Sequence, residues 1–287
     1  MKKSDGLQAI EQPLASLPHV LRQLILERIQ TLTHYEPVIG IMGKTGAGKS
    51  SLCNALFARE VSSVSNVSAC TREPLRFRLQ LDERSMTIVD LPGVGETKRH
   101  DAEYAALYRK QLPQLDLVLW LIKADDRALA VDEHFYRKVI GEAYRHKVLF
   151  VISQSDKVEP TSGGKKLSTE QKQNISRKIC LLHELFQPMN PVCAVSVRLR
   201  WGLRVMAERM IRCLPREASS PVAVQLSAPL RTDTVNKKAR DDFGETVGSV
   251  LDTISSMLLI SPPIRAIIQA ARDTVVSVAR AVWNFFF

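Results

Sequence analysis

With 287 residues, 45% of them hydrophobic and 24% charged, and a formal net charge of +10, the chain has the balance of an ordinary globular protein, long enough for one substantial domain with additions. Its five cysteines are scattered and odd in number, with no C-x-x-C pair, which excludes a disulfide-built fold and speaks against a metal cluster. They read as reduced thiols of a cytoplasmic protein, and the polar start after Met1-Lys2-Lys3 is not that of a signal peptide.

Residues 1–36 read as an N-terminal helical extension, because His19 to Leu32 carries apolar residues at 20, 21, 24, 25, 29 and 32, one face of a helix. Val38-Ile39-Gly40-Ile41-Met42 then reads as a buried strand. It delivers Gly43-Lys44-Thr45-Gly46-Ala47-Gly48-Lys49-Ser50, a match to the phosphate-binding pattern G-x-x-x-x-G-K-S/T, and Ser51 to Phe57 follows with helical character. Glycines in such a loop let successive backbone N–H groups converge on phosphate oxygens at a helix N-terminus. Lys49 is expected to reach the β- and γ-phosphates of a nucleotide, and the Ser50 hydroxyl to ligate Mg2+, with Ser51 beside it in the first helical turn.

Ser62 to Ala69 is polar and without period, and reads as a mobile loop that leads to Thr71 in Cys70-Thr71-Arg72-Glu73-Pro74. A threonine there can ligate magnesium through its hydroxyl and meet the γ-phosphate through its N–H, in a loop that orders with triphosphate and relaxes after hydrolysis; several neighbouring hydroxyls offer the same chemistry. Leu75 to Leu81 and Met86 to Val89 look like an antiparallel edge hairpin. The second strand ends in Asp90-Leu91-Pro92-Gly93. Asp90 can hold magnesium through water and the Gly93 N–H can sense the γ-phosphate, although an acidic strand end before a Pro-Gly turn is also a common surface feature.

Further strands are expected near 115–122, 147–152 and 192–197, and helices near 101–111, 132–143, 168–186 and 202–213. This alternation implies an α/β fold in three layers, a mostly parallel six-stranded sheet with helices on both faces and ligand loops at the carboxyl ends of the strands. The run Val148 to Ile152 delivers Ser153-Gln154-Ser155-Asp156-Lys157. A carboxylate at position 156 can accept from both N1–H and the 2-amino group of guanine, a donor pair that adenine lacks. Val192 to Val195 leads to Ser196 and Val197, where a backbone N–H can meet guanine O6.

Residues 215–240, rich at first in Pro, Ser, Ala and Thr, read as a linker. Residues 241–287 read as a helical hairpin turning at Pro262-Pro263; Arg265, Arg272, Asp273 and Arg280 argue against a membrane-spanning helix. Three settings fit that hairpin: packing on the N-terminal helix, an amphipathic membrane contact ending in Trp283-Asn284-Phe285-Phe286-Phe287, or self-association. Residues 137–178 hold ten Lys/Arg against four Asp/Glu, and Arg198 to Arg216 adds a second basic stripe. These fit either a solvated helical face or a footprint for RNA, the ribosome or anionic lipid. The sequence shows no K-homology loop, no aromatic RNA-binding signature and no DNA-binding module.

The ordered set GKTGAGKS, Thr71, DLPG, SQSD and Ser196 resembles the Era-like GTPases of the TrmE/Era translation-factor class, over residues 37–214, and GKTGAGKSSLCNALF with CTREP is similar to those carried on enterobacterial prophages. The resemblance implies a GTP/GDP-binding domain with Mg2+ held by Ser50, Thr71 and Asp90, and hydrolysis resting on Lys49, Thr71 and Gly93. It implies a nucleotide pocket made by Gly43 to Ser51, Asp90, Gly93, Ser153, Gln154, Asp156, Lys157, Ser196 and Val197. The sequence departs from the family in three places. Ser153 and Gln154 replace the asparagine that braces the phosphate loop and the lysine that lies over the base, which should weaken affinity. Val94 stands where many relatives carry a water-orienting glutamine. Gly46 stands where potassium-stimulated relatives carry asparagine, so potassium stimulation is not implied. The expected function is a molecular switch with slow, partner- or dimer-stimulated GTP hydrolysis, cytoplasmic or peripheral at the inner membrane. A dynamin- or septin-like, GTP-dependent assembly module is the alternative.

Overall fold

Three apolar runs form the centre of one sheet, because each is a strand buried on both faces. They are β1 (Val38–Gly43), β4 (Leu117–Lys123) and β5 (Val148–Ser153). The computed structural model describes residues 3–58, 74–81, 84–93, 98–161 and 164–287, with the side chains of residues 3 and 98–103 excepted. Thr71 and Val94 lie outside the described residues. The sheet order is β2-β3-β1-β4-β5-β6, with β2 (Leu75–Leu81), β3 (Arg84–Asp90) and β6 (Cys193–Ala194). Only the β2–β3 edge hairpin is antiparallel.

Alternation along the strands splits the interior in two. Val118, Trp120 and Ile122 of β4, with Phe150 of β5, join an aromatic core containing Tyr108, Tyr136 and Phe186. That core is covered by α4 (Lys98–Gln111), α5 (Ala130–Phe135), α6 (Gly141–Tyr144) and α7 (Thr169–Phe186), with a π-helical turn, Tyr136–Ile140, between α5 and α6. Leu117, Leu119 and Leu121 face the other way, into a core shared with α3 (Lys49–Leu56) and α8 (Leu203–Cys213). The helical additions belong to this same second core. They are α1 (Lys3–Glu11), α2 (His19–Leu32), α9 (Arg216–Gln225), α10 (Asp233–Ser255), α11 (Pro262–Ala281) and the short α12 (Trp283–Phe286).

Two expectations need correction. The stretch 215–240 is not a linker: α9 occupies its first half, every residue from Ala218 to Gln225 is buried, and α10 begins at Asp233. Small side chains, which resemble a loop in composition, here let helices approach closely. Ser220 Oγ donates to the Ala239 carbonyl at 2.9 Å and accepts from the Trp283 indole at 2.9 Å. The aromatic end is likewise internal. Trp283 and Phe286 are buried, Phe243 packs 5.4 Å from both the Phe286 and Phe287 rings, and Arg84 donates to the carbonyls of Phe286 and Phe287. The hairpin therefore packs on the N-terminal helices, as the first of the three settings has it, with Phe285 and Phe287 partly exposed at its aromatic end. Helix α1 was not foreseen. No helix among the described residues is long and apolar enough to cross a membrane.

Candidate nucleotide-binding site

The loop from Gly43 to Gly48 turns β1 into α3. Gly48 caps the helix with φ +86°, a left-handed conformation that strains any residue with a Cβ, so glycine is needed there. The amine of Lys49 crosses the loop to the Gly43 carbonyl at 3.1 Å and lies 3.7 Å from Asp90 Oδ1. Lys44 is tethered outward, 2.9 Å from Asp126 and 2.9 Å from Asp132, so it braces the loop against the segment after β4. Ser50 and Ser51 are exposed on the first turn of α3, open to a ligand.

Leu91 donates its N–H to the Ile41 carbonyl at 2.8 Å, which lays the end of β3 alongside the phosphate loop. Gly93 then passes so close that a Cβ would stand 2.6 Å from the Gly43 oxygen, so only glycine allows this approach. Asp90 Oδ1 is buried and has no hydrogen-bond partner, since the Lys49 amine is beyond hydrogen-bond reach. Burial raises the Asp90 carboxyl above its ordinary value and Lys49 opposes the rise. A carboxylate oxygen buried without a donor, with the Ser50 hydroxyl exposed on the first turn of α3, fits Mg2+, which takes few protein oxygens and fills its shell with phosphate and water. Thr71, the third expected ligand, is outside the described residues.

At the base end, Asp156 accepts from the Ser196 hydroxyl at 2.5 Å and pairs with the Arg198 guanidinium at 2.8 Å. Burial alone would raise its carboxyl, but the Ser196 and Arg198 hydrogen bonds outweigh it and hold the group below its ordinary value. Each carboxylate oxygen keeps a further lone pair for a ligand donor. Gln154 stands at φ +54°, and its side-chain amide donates to the Gly46 carbonyl at 2.6 Å. The phosphate-loop brace expected to be lost is therefore present, supplied by Gln154 one position along. Ser153 is buried with its hydroxyl unpartnered, and cannot make that reach. A cavity of about 350 Å³ joins these parts, lined by Ala47, Gly48, Ser51, Gln154, Asp156, Lys157, Val197 and Arg198 among others. Arg198 was missed as a site residue, its only signal being its place in a basic stripe. A larger cavity, about 860 Å³, opens beyond Ser51 and Val197 towards Trp201 and Arg204. It holds neither the loop glycines nor Asp156, so the chemistry favours the smaller one.

Phosphate loop, close-laid D-x-x-G strand end and a carboxylate lining the same cavity, in this chain order, mark the class as a phosphate-loop nucleoside triphosphatase. Residues 38–155 match the family model described as "50S ribosome-binding GTPase". The chain is 74% identical to Uncharacterized protein YfjP of Escherichia coli (strain K12) over 287 residues, 100% of each. It is 72% identical to Uncharacterized protein YkfA of the same organism, again over 100% of each. A solved structure of Era in complex with MgGDPNP and nucleotides 1506-1542 of 16S ribosomal RNA aligns with TM-score 0.47 and 20% identity, over 67% of this chain and 68% of that one. The chain belongs to the same family as the two Escherichia coli proteins, its residues 38–155 form a P-loop GTPase domain, and it is a GTP hydrolase.

Proposed function

We propose that the chain is a guanine-nucleotide switch whose own turnover is slow and is accelerated by a partner or by a second copy. The observation that carries the guanine reading is Asp156, a carboxylate on the rim of the cavity that begins at the phosphate loop. In this reading the loop N–H groups and Lys49 neutralise charge that develops on the transferred phosphoryl oxygens, and Mg2+, held by Ser50 and Asp90, supplies further charge stabilisation. Gly93 would report the γ-phosphate through its N–H. The Val94 side chain has no polar atom to orient water, which supports slow intrinsic hydrolysis and an external contribution to the site.

A fluorescent-GDP titration with magnesium, competed by GTP and by ATP, tests the guanine reading. GTP alone should compete in the wild type, and Asp156→Asn should lose that preference. Equal competition by ATP in the wild type would end the reading. Hydrolysis per molecule that rises with protein concentration would identify the second copy as activator, and a flat profile would favour a different partner. The matched family's description, and the ribosomal RNA bound by Era, make ribosomal RNA a candidate, served by the basic stripe from Arg198. A cytoplasmic setting suits the four free cysteines among the described residues.

A further inference from the structure

Helices α10 and α11 form the longest hairpin in the described chain, and the turn between them is built against the usual rule for turns. Ile260 donates its N–H to the Met257 carbonyl at 3.1 Å, closing a β-turn with Leu258 and Leu259 at its two corners. Corner positions normally fall to Gly, Pro, Asn, Asp or Ser, which suit water and the turn backbone. Here Leu258 is 100% exposed and Leu259 98%, and Met257 before them is exposed too. The other large exposed hydrophobics among the described residues are singletons, such as Val20 and Met189, and need no explanation. The turn is also held firmly. Ser256 and Met257 donate back to Asp252 and Ile254, and the Arg265 guanidinium reaches the Ser255 carbonyl at 2.9 Å.

We propose that the Met257–Ile260 turn is a lipid-inserting tip that docks the protein on an anionic bilayer surface. Two features select lipid over a protein partner. A stable protein interface draws on roughly 20–30 residues a side, whereas the unpartnered apolar surface here is a single convex turn. A convex apolar tip gains its full burial by entering the acyl boundary of a bilayer, with no complementary pocket required. Charge agrees: between Asp252 and Arg272 the chain has one ionisable side chain, Arg265, which fixes a cation just behind the leucines. The net charge of +10 adds long-range attraction to acidic headgroups. The double proline after the turn, Pro262-Pro263, removes two of the N–H donors that a helix start would otherwise have to take out of water. This inference is independent of the nucleotide site.

The test is flotation of the full chain with vesicles of phosphatidylethanolamine and phosphatidylglycerol, compared with pure phosphatidylcholine. Wild type should float with the anionic vesicles. The double variant Leu258→Ser, Leu259→Ser should lose at least tenfold in partitioning while keeping its melting temperature and fluorescent-GDP affinity, because neither side chain is packed. Leu259→Trp should float at least as well as wild type and show added quenching by brominated lipid. Wild type that stays at the bottom of the gradient, or a serine variant that floats equally, would overturn the proposal. So would a wild-type dimer in light scattering that the serine variant dissolves, since the turn would then cover a second copy.

Discussion

Lys49 and Gln154 hold the phosphate loop from two sides, one at the Gly43 carbonyl and the other at the Gly46 carbonyl. The lysine would also touch phosphate, so Lys49→Ala should abolish tight nucleotide binding. Gln154→Ala removes only the brace. A net hydrogen bond is worth about 0.5–1.5 kcal/mol, so GDP affinity should fall roughly two- to tenfold in a titration, with guanine preference intact. Asp156 makes the opposite prediction about pH. Its carboxyl is held below the ordinary value, so its ionised pairing with Ser196 and Arg198 is fully present above that value and fades only as pH falls through the lowered one. GTP should therefore still be favoured over ATP at pH 5, and loss of discrimination there would sink the pairing argument. The place of Asp156 on the cavity was legible because the buried run Val148 to Ile152 has to end just before it. The brace was not, since the resemblance placed it at position 153, whereas Gln154, in a left-handed conformation, makes the contact.

Among the elements, the strands were the easiest to read. Five of the six expected ranges overlap the observed strands closely, because runs such as Val148–Ile152 are apolar throughout and bounded by polar residues. Helix α2 matched its full expected range, His19 to Leu32, on apolar spacing. Helix α9 was hidden for the converse reason: Ala218, Ser219, Ser220 and Pro221 have loop-like composition, and their burial depends on α10 and Trp283, which local pattern cannot show. Its contribution can be measured. Ser220→Ala leaves the buried Trp283 indole N–H without an acceptor, at a cost of about 1–3 kcal/mol. Urea unfolding should show that loss, and Trp283→Phe in the same background should add less than it does alone. Full additivity would mean that the bond contributes nothing.

Across the whole molecule, the two ends of the chain are packed together on the core that serves the nucleotide loop. Gly6 of α1 lies so near α12 that a Cβ would stand 2.9 Å from the Phe286 ring. Gly6→Leu should expel α1, shown by early protease cleavage within residues 3–32, while GDP affinity stays near wild type because the loop is built by β1 and α3. Loss of GDP binding would instead mean that the extension supports the site directly. The basic stripes and the Met257–Ile260 turn also belong to this scale. Sequence alone gave no sign of that turn, since exposure is set by what folds over a segment and not by its hydropathy.

The clasp of α1 and α2 on α10, α11 and α12 has a consequence for synthesis on the ribosome. The edge strands β2 and β3, made early, present a face that α9 covers only later, and α9 is covered in turn by α10. At about 5–20 residues per second, that greasy face waits several seconds for its cover. The first helices wait longest of all, since their partners are α10, α11 and α12. Pairings this distant along the chain fold slowly, so the newborn protein is a natural client for chaperones, and a message cut short after α8 would yield a chain that never stops needing one.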